Sequence, residues 1–352
     1  MKKNVCIIFG GASSEHEVSC ISAYNVIKNI DEEKYNLILV GITKSGESYL
    51  YKGEREYIKN GKWVENPGKS CIISPNPAHH GILVFNKNGD FFTESVDVYF
   101  PVLHGKNGED GTIQGVFELS KIPYVGNKVL GSAVSMDKIM TKKILQTENI
   151  PVTEGFNLTI KDFGDTCGVN EKIKASFGYP VVVKPSNAGS SVGISLVENE
   201  KDLKEALTVA FKEDSRVLVE KMMNIREIEC AVYGNSKEAY ASVLGEIVKT
   251  TALYDYDTKY IDDTTTLVIP AELDSNTAEK IRELAIRVFH ALDCNGLARV
   301  DFFVEKETNE IYLNEINTLP GFTDISMYPM LWAKSGVSYS ELLDKLISLA
   351  EE

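Results

Sequence analysis

The 352-residue sequence predicts a chain of mixed α/β and α+β architecture in three domains, opened by a parallel-sheet layer. Three observations lead there. The length exceeds what one hydrophobic core organises comfortably. In the first 125 residues, short apolar runs that stop at glycine alternate with amphipathic segments, as buried parallel strands alternate with their covering helices. Beyond that point the strands instead alternate apolar and polar residues and are joined by short turns. The joints fall near residues 125 and 220, giving domains at 1–125, 126–220 and 221–352.

Taken in order, residues 5–9 form an all-apolar strand that ends at Gly10-Gly11. After Ser14 a helix carries Val18, Ile21, Val26 and Ile30 on one side. Strands are expected at 35–42 and 96–103, the latter ending at His104-Gly105, with a helix at 112–119 turning Ile113, Val116 and Phe117 inward. The polar, turn-rich stretch at about 45–94 reads as an insertion of short strands and loops. A helix follows at 137–147, then a strand at 181–184 stopped by Pro185, a flexible loop PSNAGSSVGISLV, and a strand at 217–221. The last part holds more strands, a helix at 277–292, two alternating strands at 298–304 and 310–317, and a terminal helix from about Ser338.

Composition narrows the function classes. A net charge of −14 and a pI near 5.0 argue against a nucleic-acid surface, which would be basic. The six cysteines are far apart, with no CxxC pair, so they read as reduced cytosolic thiols rather than a zinc or redox site. The N-terminal apolar run is too short for a signal sequence, and no run approaches a membrane span. A cytoplasmic protein with neither membrane nor nucleic-acid partner is expected.

Three clusters could carry chemistry. In GLARVDFFV, period two places Arg299, Asp301 and Phe303 on one face; in IYLNEINTLPG it groups Ile311, Leu313, Glu315 and Asn317. If the two strands form a hairpin, Asp301, Glu315 and Asn317 converge as hard oxygen ligands of the kind magnesium takes beside phosphates. The plainer reading is a solvated strand end with Arg299 bridged to a carboxylate. The glycine-serine loop after Lys184 could wrap phosphate oxygens with its N–H groups, or be an ordinary hairpin tip. In GGASSEHEVS and HGKNGEDG, Glu15 is either a dipole partner of its helix or a ligand contact, and Asp110 either a helix cap or a site residue.

Together GGASSEHEVS, LHGKNGEDG, VKPSNAGSSVG, YDYDTKY, ARVDFF and NEINTLPGFT resemble the D-alanine–D-alanine ligases, in order and across essentially the whole chain. The family's fold is the three-domain ATP-grasp, with a Rossmann-like first domain; the 45–94 segment matches its longer form. The resemblance implies that Lys138, Lys184, Ser191, Val192 and Lys259 contact ATP phosphates, and that Glu220, Lys221, Met223 and Glu227 form the adenine and ribose stretch. It assigns the magnesium ligands to Asp301, Glu315 and Asn317, with Mn2+ as a substitute and a monovalent cation as a further requirement of some relatives. Glu15 corresponds to the residue that receives the ammonium of the first D-alanine, with Ser190 and Tyr260 as its hydrogen-bonded partners. Arg299 and the backbone of Gly321 correspond to oxyanion stabilisers, Ser326 and Met327 to the second D-alanine's carboxylate pocket, and His104 to an active-site histidine. Asp324-Ile325 stands where many members carry Ser-His, and Met222 where an aromatic residue is common near adenine.

The implied reaction is ATP-dependent ligation of two D-alanines through an acyl phosphate, for peptidoglycan precursors, by a homodimer. The turn-rich segment at 249–266 is the expected lid over that intermediate. The rivals are a ligase making D-alanyl-D-serine, as in vancomycin-resistance relatives, and a non-catalytic nucleotide sensor on the same fold. Tyr260 argues against a D-lactate-using relative.

Overall fold

The computed structural model describes residues 2–189, 192–248 and 266–352, and its strands fall into three sheets. The first contains β1 (Lys3–Gly10), β2 (Tyr35–Ile42), β3 (Ser48–Tyr51), β4 (Lys69–Ile73), β5 (Gly81–Phe85), β6 (Phe91–Ser95) and β7 (Val98–Leu103), with α1 (His16–Asn29), α2 (Glu56–Lys59) and α3 (Thr112–Ser120). Its order is β6-β5-β4-β3-β2-β1-β7. β1 pairs in parallel with β2 and β7, as the apolar runs predict. The segment expected as an insertion is drawn into the same sheet: β3 to β6 extend it antiparallel from β2. Because Gly10 is in register with Leu103, the turns that follow β1 and β7 leave the sheet side by side.

The second part holds α4 (Val129–Met136), α5 (Lys138–Thr147), β8 (Gly155–Thr159), α6 (Thr166–Ser176), β9 (Val181–Pro185), β10 (Ser195–Val197), α7 (Leu203–Glu213) and β11 (Arg216–Lys221). Its antiparallel sheet runs β10-β9-β11-β8. Val169 and Ile173 of α6 and Leu203, Leu207 and Ala210 of α7 close its core. The loop from β9 to β10 is the glycine-serine segment. Asp137 caps α5, accepting from the Ile139 and Met140 N–H groups, and also accepts from Ser186 Oγ at 2.6 Å, so α5 is tied to the start of that loop.

The third part holds β12 (Ile225–Gly234), β13 (Ala239–Val248), β14 (Thr266–Val268), α8 (Ser275–Ala291), β15 (Gly296–Glu305), β16 (Ile311–Asn317), α9 (Met327–Lys334) and α10 (Tyr339–Ala350). The sheet is antiparallel, in the order β14-β13-β12-β15-β16. Ile281, Leu284, Val288 and Phe289 of α8 seal one face. α10 opens with a capping box between Ser338 and Glu341. It packs on the first sheet: Leu342, Leu346 and Ile347 share a core with Val5, Ile7 and Phe9. Among the described residues no helix is long and apolar enough to cross a membrane.

One irregularity corrects the simple alternation expected for β16. Asp301 pairs with Glu315, but the next residue, Phe302, pairs with Leu313, so Asn314 is an extra residue in the ladder. Before this bulge, Ile311 and Leu313 face the α8 core; after it, Ile316 does. Glu315 and Asn317 therefore do not share a face with Ile311 and Leu313. The bulge turns them to the opposite side, where Arg299 and Asp301 stand directly across the ladder.

Candidate active site

The side-by-side turns after β1 and β7 place Glu15 and His104 next to each other. Ser13 Oγ donates to the His104 carbonyl at 2.9 Å. The Glu15 carboxylate is approached from two sides by glycine: a Cβ on Gly105 would lie 2.5 Å from Glu15 Oε2 and one on Gly189 2.9 Å. Gly105 also has φ +68°, so any side chain there is both strained and in collision. Gly189 belongs to the glycine-serine loop, which thus reaches from the second part of the chain to the first. Glu109 lies beside Glu15; its carboxylate accepts from the Gly105 N–H at 2.8 Å. Burial first, and the Glu15 charge second, push its carboxyl up to about 8. Asp110, by contrast, accepts from the Asn107 and Thr112 N–H groups and fulfils the capping reading.

The lysines form a second layer. Lys138 Nζ donates to the Ala188 carbonyl at 2.8 Å and lies 3.5 Å from Glu315 Oε2. Lys184 and Lys142 both pair with the buried carboxylate of Glu220. Burial opposes the charge on Glu220, but the two lysines outweigh it and hold its carboxyl below the ordinary range. Lys142 is lowered to about 8, by burial above all, with Glu220 opposing.

The third layer is the β15–β16 edge. Arg299 binds Asp301 bidentately, Nε to Oδ1 at 2.8 Å and the terminal nitrogen to Oδ2 at 2.7 Å, and its Nε lies 3.0 Å from Glu229 Oε2. Burial works against the guanidinium, but Asp301 and Glu229 outweigh it and hold its pKa well above the ordinary value. Asn317 donates Nδ2–H to Asp301 Oδ2 at 2.8 Å, leaving its amide oxygen as an acceptor. The donor set is thus two carboxylates and an amide oxygen from adjacent strands. That chemistry fits magnesium or manganese as a partial shell, which phosphate oxygens would complete. Among the described residues no cluster of three acidic, histidine or cysteine side chains could hold a metal unaided.

These layers line one cavity of about 250 Å³, into which Glu15, Lys138, Lys184, Arg299, Glu315 and Gly321 all face. Lys221, Met223 and Glu227 line it as well, with Met222. Glu220 also borders it, but with its carboxylate engaged by lysines. Val192 donates its N–H to Gly189 O within the loop and is not part of the lining. Nor are Ser326 and Met327: Ser326 Oγ accepts from the Thr323 N–H at 2.9 Å beside Gly321, and the Met327 side chain is buried in the core. Only the backbone of Met327, at the start of α9, remains able to serve a ligand. Ser190, Ser191, Lys259, Tyr260 and nearly all of the expected lid lie outside the described residues.

Three residues at the site escaped the sequence reading. Lys142 stands one helical turn beyond Lys138. Glu229 alternates with Glu227 along β12, a pattern visible in IREIEC. Glu109 lies next to Asp110 in HGKNGEDG.

Comparison with known proteins decides the family. The family model described as D-ala D-ala ligase N-terminus matches residues 4–127, and that described as D-ala D-ala ligase C-terminus matches 144–348. The chain belongs to the D-alanine–D-alanine ligase family. Curated D-alanine–D-alanine ligases of Ruminiclostridium cellulolyticum and Acetivibrio thermocellus are 53% and 51% identical to it, over 100% and 99% of this chain and 96% of each relative. The crystal structure of the VanG D-Ala:D-Ser ligase from Enterococcus faecalis superposes with a TM-score of 0.90 at 39% identity, covering 99% of this chain and all of that one. The three-sheet architecture is accordingly that of the ATP-grasp ligases in this family.

Proposed function

We propose that the chain joins two D-alanines into D-alanyl-D-alanine for peptidoglycan precursor synthesis, using ATP to activate the first carboxylate as an acyl phosphate. The observation that carries this reading is the convergence, in one cavity, of the acidic corner at Glu15, buried lysines and an oxygen-ligand edge beside a buried arginine. Glu15 receives the ammonium of the first D-alanine, which orients its carboxylate toward the lysines. Lys138 and Lys184 bind the ATP phosphates; Lys221, Met223 and Glu227 border the adenine and ribose. Asp301, Glu315 and Asn317 would hold the divalent metal, which when bound spreads the charge of the transferring phosphoryl group.

The carboxylate attacks the terminal phosphorus and ADP departs. The amine of the second D-alanine then attacks the acyl carbon, and phosphate leaves. Arg299, charged and buried at the cavity wall, stabilises the oxyanion formed in that step together with the Gly321 N–H. Ser190 and Tyr260 complete the first subsite, Ser191, Val192 and Lys259 the phosphate cover, and Ser326 with the Met327 backbone the second carboxylate's pocket. We assign the domains to 1–125, 126–220 and 221–352, with a cytoplasmic homodimer as the working form.

A second reading, D-serine as second substrate, draws on the structural likeness to the VanG enzyme and on Asp324-Ile325 at the rim of the second subsite. An apolar pocket rejects one added hydroxyl by only about a hundredfold. The deciding experiment supplies ATP, magnesium and equal D-alanine, D-serine and D-lactate, and separates the products chromatographically. D-alanyl-D-alanine as the main product is expected. A predominance of D-alanyl-D-serine replaces the first reading with the second, and no ADP release overturns both.

A further inference from the structure

The loop that carries Gly321 is gripped from the first domain at two points. His104 Nδ1 is 2.9 Å from the Leu319 carbonyl. A carbonyl only accepts, so Nδ1 carries the proton, and in the neutral form of the ring Nε2 is an acceptor. Ser22 Oγ lies 3.2 Å from that Nε2, and to the neutral ring the hydroxyl donates. The same Ser22 oxygen accepts the Phe322 N–H at 3.2 Å. Ser22 is on α1, fully buried, and does not line the cavity.

The two gripped groups bracket Gly321. Each peptide unit is a rigid plane. His104 fixes the plane joining residues 319 and 320, and Ser22 fixes the plane joining 321 and 322. Between them lies the plane that presents the Gly321 N–H, and Pro320 at its start has a fixed φ and no N–H of its own. Both neighbours of the middle plane are therefore held, and its rotation is confined.

We propose that Ser22 and His104 act as positioning residues, a clamp from α1 and β7 that aims the Gly321 N–H at the oxyanion formed when the second amino acid attacks. This rests on the ligase reading above for the role of Gly321. Ser22 sits behind the loop and outside the cavity, whereas His104 also lines it, so Ser22 is the member that serves the attack step and leaves ATP binding and acyl-phosphate formation alone. It also links the first sheet, which binds the first D-alanine, to the strand end that completes the reaction.

Removing an oxyanion donor costs roughly a hundred- to a thousandfold in kcat. Loosening one should cost less, about ten- to a hundredfold. The test compares Ser22→Ala, His104→Gln and the double variant. Three rates are read: dipeptide formation, KM for ATP, and bridge-to-nonbridge oxygen scrambling in labelled ATP at D-alanine low enough to fill only the first subsite. In Ser22→Ala, a loss in dipeptide kcat with KM and scrambling within about twofold of wild type supports the clamp. The double variant should be no slower than the slower single one. Unchanged kcat in Ser22→Ala, scrambling that falls in step with kcat, or losses that multiply in the double variant would overturn it. Imidazole 15N spectra of the wild type test the clamp without relying on activity. The Nδ1–H tautomer at His104 is expected, and the Nε2–H tautomer sinks the proposal even if the variants misfold. A wild type with the expected tautomer that makes no dipeptide overturns the ligase reading and, with it, the role given to the clamp, whereas dipeptide made at an undiminished rate by Ser22→Ala overturns the clamp alone.

Discussion

Two charge clusters face the same cavity and are built in opposite ways. Around Glu220 the charges are sealed: side-chain exposure is 3% for Glu220, 8% for Lys142 and 6% for Lys184. Around Glu315 they are half open: its side chain is 30% exposed, and its lysine partner stands 3.5 Å away. A buried ion that loses its partner is left uncompensated at high cost, so the sealed cluster holds one arrangement. An open carboxylate can trade a distant lysine for a cation at little cost. The sealed cluster fixes geometry; the open one exchanges ligands. Stability and turnover should therefore respond in opposite senses to substitutions at the two places.

The sharpest break of this contrast is Glu315→Gln, which keeps shape but removes a formal charge that the proposed metal would need. Turnover should fall by roughly a thousandfold, while the melting temperature moves by no more than a few degrees, as read by ADP release and calorimetry. Normal ATP turnover in this variant would refute the metal edge. Glu220→Gln should do the reverse in kind: two lysines lose their counter-charge, and stability drops by about 3–5 kcal/mol, seen in denaturant titration. If Glu220→Gln were as stable as wild type, the sealed cluster would not be holding the fold.

A smaller effect sharpens the contrast within the sealed cluster. Lys142→Met leaves Glu220 paired to Lys184 and should cost about 1–2 kcal/mol with the KM for ATP little changed. Lys184→Met should raise that KM at least tenfold. Equal effects on KM would mean the two lysines share one role.

The subtlest test is pH. Glu109 has an ordinary carboxyl value of 4.5 and about 8 in the folded chain. A raised folded pKa contributes stability that is fully present below about 4.5 and is lost as pH climbs toward 8. Glu109→Gln removes this dependence. The melting temperature of the variant relative to wild type should therefore rise steadily from pH 5 to pH 8 without ligands, and a flat difference would show that the raised value is wrong.

Much of this was legible in the residues. Apolar runs ending at glycine marked the parallel strands because a strand buried on both faces admits little else. Asp301 and Arg299 could be placed on one face because β15 is regular. β16 was misread for a physical reason: an extra residue in a ladder leaves no compositional mark, so period two was carried through Asn314, where it breaks. Asp301, Glu315 and Asn317 still meet, because the bulge brings Glu315 and Asn317 across from Asp301 and Arg299. Among the helices, α7 does show an amphipathic stripe (Leu203, Ala206, Leu207, Ala210), but α6 buries only Val169 and Ile173, too few to stand out. The ion trio of Lys142, Glu220 and Lys184 could not be read, because its members meet only after α5 packs against β9 and β11.

The placement of α10 has a consequence for how the chain is made. One face of the first sheet, led by Val5, Ile7 and Phe9, is covered in part by Leu342, Leu346 and Ile347. During synthesis, β1 emerges first and its partner helix more than three hundred residues later. Until then part of that face lacks its cover, with α1 over only the rest, and the missing contact is long-range, of the slowest kind to form. The first domain thus waits for residues 339–350 before its sheet is fully covered, and a ribosome stalled before residue 339 would display a sticky, half-closed sheet to the cell's chaperones.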